Sequence, residues 1–131
     1  MIGLDTNILV RAAMGDDPEQ AAHAKGRLLS LTTAEPGFVT HVVLVEIWWV
    51  LTRAYKKKTS EALDFLARLT QTATIVVQDR ELVIAALAAV RERGADFADA
   101  LVVAVATANG CSAIETFDAD AIKRAGMRRI G

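Results

Sequence analysis

Met1-Ile2-Gly3-Leu4-Asp5-Thr6-Asn7-Ile8-Leu9-Val10-Arg11-Ala12-Ala13-Met14-Gly15-Asp16-Asp17-Pro18 opens the chain and sets the unit from which the rest is built. Ile2–Leu4 is a short apolar strand. Thr6–Met14 reads as a helix, the Gly15–Pro18 cluster as a turn, and Pro18 is well placed to begin the next helix. A carboxylate, Asp5, stands at the junction of strand and helix.

The same unit recurs outward from this stretch. The helix after Pro18 carries Ala21, Ala22, Leu28, Leu29 and Leu31 as its apolar positions, and Glu35-Pro36-Gly37 breaks the chain. A second strand is predicted at Phe38-Val39-Thr40, then a long helix over His41–Tyr55. Thr59-Ser60-Glu61 begins another helix in the manner of an N-cap with a first-turn acid, running to Thr72. Thr74–Val77 is β-branched and predicts a strand. Asp79 is expected to cap a helix that Gly94 stops at Arg93. Phe97–Asn109 reads as a helix, Ser112–Thr116 as a strand, Ala119–Ala125 as a short helix, and Arg128–Ile130 as a last edge strand. Short apolar strands alternating with helices imply a parallel sheet covered on both faces. The fold class expected is therefore α/β, a three-layer α/β/α sandwich around a short central parallel sheet.

At 131 residues the chain is long enough for one domain with its own core, here residues 1–131. A hydrophobic fraction of 53% and a charged fraction of 24% suit a globular protein rather than a disordered one. The longest apolar runs, Val42–Leu51 and Leu82–Val90, fall well short of the ~20 residues that span a bilayer. No cationic segment precedes an apolar one at the N-terminus, so no signal peptide is expected. Cys111 is the one cysteine. It can form no internal disulfide, and a cytoplasmic location is the expectation. The formal net charge of −1 gives no global basic footprint. Lys56-Lys57-Lys58, with Arg53 just before, is the only basic run, either a solvated helix end or a set of phosphate contacts.

Four carboxylates stand in or beside strongly apolar stretches: Asp5, Glu46, Asp99 and Asp118. In open α/β sheets, sites form at the carboxyl ends of the strands. Asp5 and Asp118 each follow a strand. Glu46 and Asp99 lie in the first two turns of helices that start from the same edge. These positions bring four distant acids towards one rim. Buried together they would be costly unless a cation neutralised them, and oxygen-only ligands suit Mg²⁺ or Mn²⁺.

Each acid also has a plain structural explanation. Asp5 could cap the helix after it, with Asn7 a supporting hydrogen-bonder. Glu46 could sit in a buried salt bridge to Arg53 or Arg11. Asp96 could be a cap with Asp99 as a first-turn acid, and Asp118 could cap the last helix, with Asp120 nearby. Thr116 fits a strand as well as it fits a ligand. His23 and His41 have no partner at zinc spacing, and surface or helix-start roles are expected for them. Cys111 reads as a small apolar filler. Of Trp48 and Trp49, one is expected in the core and the other on a partner-facing patch.

Asp5-Thr6-Asn7, Glu46, Asp96-Phe97-Ala98-Asp99-Ala100-Leu101 and Gly110-Cys111 followed by Thr116-Phe117-Asp118, taken in series, resemble a PIN domain, and the compact length resembles a VapC-type toxin of a toxin–antitoxin pair. The resemblance implies a Mg²⁺- or Mn²⁺-dependent endoribonuclease whose metal site and catalytic acids are Asp5, Glu46, Asp99 and Asp118. It implies support from Thr6, Asn7 and Thr116, with Asp96 and Asp120 at acidic positions that vary among members. It further implies a homodimer and a cognate antitoxin whose tail covers the site. Phosphodiester cleavage needs an activated water and neutralised phosphate charge, which bound metal supplies. Arg11 and Lys56–Lys58 are the candidate contacts to the RNA backbone. The alternatives are a phosphotransfer site of phosphatase or receiver type, a non-catalytic binding module, and a nuclease that prefers DNA. A dehalogenase-like phosphatase wants an aspartate where Asn7 stands, and a receiver wants a lysine that is not found.

Overall fold

The computed structural model describes residues 1–131. The chain runs β1 (Ile2–Gly3), α1 (Thr6–Met14), α2 (Pro18–Ser30), β2 (Gly37–Val39), α3 (His41–Trp49), α4 (Thr59–Gln71), β3 (Ile75–Val77), α5 (Arg80–Arg93), α6 (Phe97–Ala108), β4 (Glu115–Thr116) and β5 (Arg128–Arg129). Two π-helical turns complete it, Val50–Ala54 continuing α3 and Ala121–Ala125 ahead of β5.

Local chemistry explains most boundaries. Asp17 caps α2 by accepting from the Gln20 N–H at 3.1 Å, with Pro18 at the first helical position. Thr40 Oγ1 accepts from the Val43 N–H at 3.2 Å and starts α3. Gly15 and Gly94 end α1 and α5 at φ 67° and 68°, a region that glycine enters without Cβ strain. Two expected caps differ. The cap position of α4 is Lys58 rather than Thr59, and Glu61 reaches back to its N–H at 3.3 Å. Asp79 sits at the start of α5 in a left-handed conformation, and its side chain makes no capping bond; the turn out of β3 takes that residue's backbone away from the geometry a cap needs.

β1, β2 and β3 form a parallel sheet in that order, with Ile2 opposite Gly37 and Val39 opposite Val77. β4 and β5 pair parallel in a separate ribbon, Glu115 opposite Arg128. The α/β architecture is thus as expected, but the strands are divided between two sheets rather than joined in one. β1 and β4 are two residues each, and each is bonded along one edge only.

One apolar core holds these parts together. Val39 from β2, Leu44 and Ile47 from α3, Leu66 from α4, Val83 from α5 and Phe97 from α6 are all fully enclosed. Trp48 packs on Phe97 with ring centroids 5.7 Å apart, an aromatic pair that contributes beyond its buried area. Trp49 is 40% exposed, with Arg53 lying over its ring at 5.2 Å. One tryptophan in the core and one on the surface is the division the sequence led us to expect. The apolar run of α6 is covered only in its first turns: Ala100 and Leu101 are buried, Val102 is half exposed. No helix is long and apolar enough to cross a membrane.

Candidate active site

Asp5 leaves the end of β1 and occupies the N-cap position of α1, where its Oδ1 accepts from the N–H of Thr6 at 2.8 Å. Glu46 stands on α3. Both line one cleft of about 570 Å³, together with Thr6, Asn7, Val10, Arg11, Asp16, Val50, Ala54 and Tyr55. Glu46 is exposed and takes part in no ion pair, which removes the buried salt bridge to Arg53 or Arg11. The expectation that these acids lie in an apolar interior is likewise corrected. Asp5, Glu46 and Asp118 are exposed and Asp99 is half-buried. The apolar residues around Glu46 misled because α3 is apolar on its solvent side too, with Val42 67% exposed.

The other acids gather around the start of α6. Asp96 is its N-cap and accepts from the Asp99 N–H at 3.1 Å. Asp118 Oδ1 accepts from the N–H groups of Asp120 and Ala121 at 2.9 and 3.3 Å, and Thr116 Oγ1 accepts from the Asp118 N–H at 3.1 Å. Asp120 is paired with Arg124 at 2.8 Å. Burial pushes the Asp99 carboxyl above the ordinary carboxylate range, and the charges of Asp96, Asp118 and Asp120 push it further. Those four acids are therefore electrostatic neighbours.

Asp5 and Glu46 on one side, and Asp96, Asp99, Asp118 and Asp120 on the other, form two partial sets. No group of three acidic, histidine or cysteine side chains is close enough to hold one ion. In kind the donors fit a hard divalent cation. They are all oxygen, Glu46 and Asp99 have no cationic partner, and the buried Thr6 hydroxyl lining the Asp5–Glu46 cleft has no hydrogen-bond partner. An unpaired buried hydroxyl is rare enough to ask for a ligand or a water.

The remaining residues fall in different places. Asn7 and Arg11, four apart on α1, both line the acidic cleft. The basic run does not. Lys57 lines a second, larger groove of about 780 Å³ on the other side of α1, beside Leu9, Leu28, Leu51 and Phe65, with Lys25 and Arg68 also in its wall. Lys56 takes φ 52° in the turn before α4, and Lys57 reaches Glu61 at 4.0 Å. His41 Nε2 meets the Gln78 carbonyl at 2.8 Å, a helix-start role. Cys111 is exposed, so it is no core filler; the turn after α6 leaves it outside the packing.

Two cleft residues escaped the sequence reading. Tyr55, the one tyrosine, donates to Asp16 Oδ2 at 2.6 Å, while Arg11 Nη1 donates to Asp16 Oδ1 at 3.4 Å. The Tyr55 hydroxyl holds Asp16 below the ordinary carboxylate value, and Asp16 in turn raises the tyrosine. Arg11 and Asp16, five apart across the Gly15 turn, were the only signal available.

Residues 2–127 match the PIN domain. With nearly the whole of the 131-residue chain matched, the protein belongs to the PIN domain family. Its fold is of nuclease type, in a family whose members are typically hydrolases that bind RNA and generally use divalent metals. No curated protein matches the chain closely enough to be counted a relative. Family membership sets aside the phosphatase and receiver alternatives.

Proposed function

We propose that this chain is a divalent-metal-dependent endoribonuclease and the toxin of a type II toxin–antitoxin pair. The observation that carries the reading is the convergence of Asp5, Glu46 and the unpartnered Thr6 hydroxyl on one cleft of a PIN domain. Asp5 and Glu46 would hold Mg²⁺ or Mn²⁺ on one side, and Asp99 and Asp118 on the other. When bound, the metal neutralises phosphate charge and lowers the pKa of an attacking water.

The chain's own contribution is positioning. Asp5 is fixed as the N-cap of α1, two residues after β1, and α3 presents Glu46 one turn and a half from its start, so both carboxylates are held by regular elements. One of these acids would also accept the proton that the water gives up. Thr116 orients Asp118 through its N–H. Arg11 offers a guanidinium to the phosphate backbone from the same cleft wall.

The toxin role brings a partner. A cognate antitoxin whose tail reaches the acidic cleft would meet carboxylates there, so the reading favours a cationic tail. A homodimer belongs to the same reading, and Val102 and Phe117, 49% and 76% exposed, are apolar surface that such a contact would cover.

The test is cleavage of a mixed RNA pool by the purified chain in Mg²⁺, in Mn²⁺ and in EDTA, beside an Asp5→Asn variant of unchanged melting temperature. Cutting that requires metal and is lost in the variant supports the reading. No cutting under any condition, with no metal bound in calorimetry, overturns it in favour of a non-catalytic module. A DNA pool in parallel decides between the two nucleic acids.

A further inference from the structure

The acidic cleft does not end at Asp5 and Glu46. Its far wall is made by Arg11, Asp16 and Tyr55, which come from α1, from the turn ahead of α2 and from the residue after the Val50–Ala54 turn. One carboxylate ties the three segments together. Asp16 accepts from Arg11 Nη1 through one oxygen at 3.4 Å and from the Tyr55 hydroxyl through the other at 2.6 Å. Gln20 fixes the same guanidinium from behind by accepting from Nε at 2.9 Å.

A guanidinium carries five N–H donors, and these two bonds leave the others free. Arg11 makes no ion pair with Asp5 or Glu46; its one salt bridge is to Asp16. Its orientation is therefore set without its being consumed by the acids of the site. Tyr55 is half-buried, packs on the edge of the apolar core and lines the cleft, and its hydroxyl is held on Asp16, which fixes the ring. A fixed cation beside an immobilised aromatic ring, a short way along a groove from a carboxylate centre, is the combination that recognises a single-stranded nucleotide: phosphate on the guanidinium, base on the ring.

We propose that Arg11, Asp16 and Tyr55 form a nucleotide subsite at the end of the acidic cleft, Arg11 binding the phosphate next to the scissile one and Tyr55 stacking on the adjoining base. Asp16 is the positioning residue of the subsite, since it binds both of the others. The inference deepens the nuclease reading and rests on it. The subsite accepts any base, because every base offers a ring face, and it requires a single strand, because a paired base could not reach Tyr55.

The experiment measures binding of a fluorescein-labelled ten-nucleotide single-stranded RNA by anisotropy, in EDTA over a salt series, and kcat and KM for its cleavage in Mg²⁺. The chains are the wild type, Arg11→Gln, Tyr55→Ala, Tyr55→Phe and Asp16→Ala, each with its melting temperature. Arg11→Gln should reduce the slope of log affinity against log salt by about one, as loss of one phosphate contact requires. Tyr55→Ala should weaken binding about tenfold with the slope unchanged, while Tyr55→Phe, which keeps the ring, stays within about threefold of the wild type. Asp16→Ala should raise KM and leave kcat in place. A purely structural triad would lower all the melting temperatures and leave the salt slope alone. A wild type that cuts RNA while Arg11→Gln and Tyr55→Ala match it in slope, affinity and KM overturns the subsite only. A wild type that neither binds nor cuts RNA overturns the nuclease reading, and the subsite with it.

Discussion

Replacing Asp99 by asparagine should make the metal-free protein more stable. The Asp99 carboxylate takes part in no hydrogen bond or ion pair, and the bond that Asp96 accepts comes from its backbone N–H, which the change leaves in place. What Asp99→Asn removes is a charge that burial disfavours and that Asp96, Asp118 and Asp120 repel. The pH dependence follows from the direction of that shift. A carboxyl whose folded pKa lies above its unfolded value binds its proton better in the folded state, so its ionisation costs stability. The wild type should therefore lose stability, through this group, as pH rises from the ordinary carboxylate value of 3.8 past the raised one.

Above the raised value the charge is fully present. Three like-charged neighbours at solvent-screened, partly exposed positions contribute roughly 0.2–0.5 kcal/mol each, about 1 kcal/mol together. For a domain of 131 residues that is roughly 3–5 °C in melting temperature. The assay is thermal melting by circular dichroism in EDTA at low salt, for both chains, from about pH 4 to pH 8. The variant should melt higher at pH 8, and the gap should close towards pH 4 and narrow in high salt. With Mg²⁺ the order should reverse, because only the wild type keeps its full set of acids. A variant that melts at or below the wild type in EDTA at pH 8 would refute the reasoning, and the acids around α6 would then not be the repelling cluster described here.

Glu46→Gln should lower kcat for RNA cleavage by about 100-fold or more and leave the melting temperature within about 2 °C, since Glu46 is exposed and unpaired; steady-state kinetics beside a melt check both. Phe97→Ala should cost about 3–5 kcal/mol in urea unfolding, because Phe97 is fully enclosed and carries the Trp48 contact, and the tryptophan emission should shift to the red. Gly37→Ala should cost roughly 1–3 kcal/mol, because a Cβ there would stand 2.6 Å from Leu4 Cδ1 and 3.0 Å from Leu31 Cδ1. Leu4 precedes Asp5, so the same change should lower cleavage as well as stability.

The order of strands and helices was legible because each is announced by an apolar run and closed by a turn residue: Gly15, Pro18, Gly94, Gly126. So were the positions of Asp5 and Asp118, since a polar residue after a β-run marks a strand end. The exposure of Glu46 was not legible. Helical periodicity reports burial only when one face is polar, and α3 is apolar on both, with Val42 and Trp49 on its open side. The division into two sheets was hidden too, because pairing between two-residue strands is decided by backbone hydrogen bonds that leave no mark on side-chain pattern. The Tyr55–Asp16 contact joins residues 39 positions apart. Nothing local in either residue announces it.

The π-helical turn at Val50–Ala54 carries its own consequence for anyone who shortens or aligns this chain. There Tyr55 N–H bonds back five residues to the Val50 carbonyl at 3.0 Å, so the turn holds one residue more than an α-helix would need. Deleting a single residue from it would let α3 run on unbroken, and everything after it would rotate by roughly a quarter of a turn. Length at this point thus sets where Tyr55 falls. A neighbour in sequence that lacks the extra residue would keep the one acid of α3, Glu46, and displace the tyrosine that follows the turn.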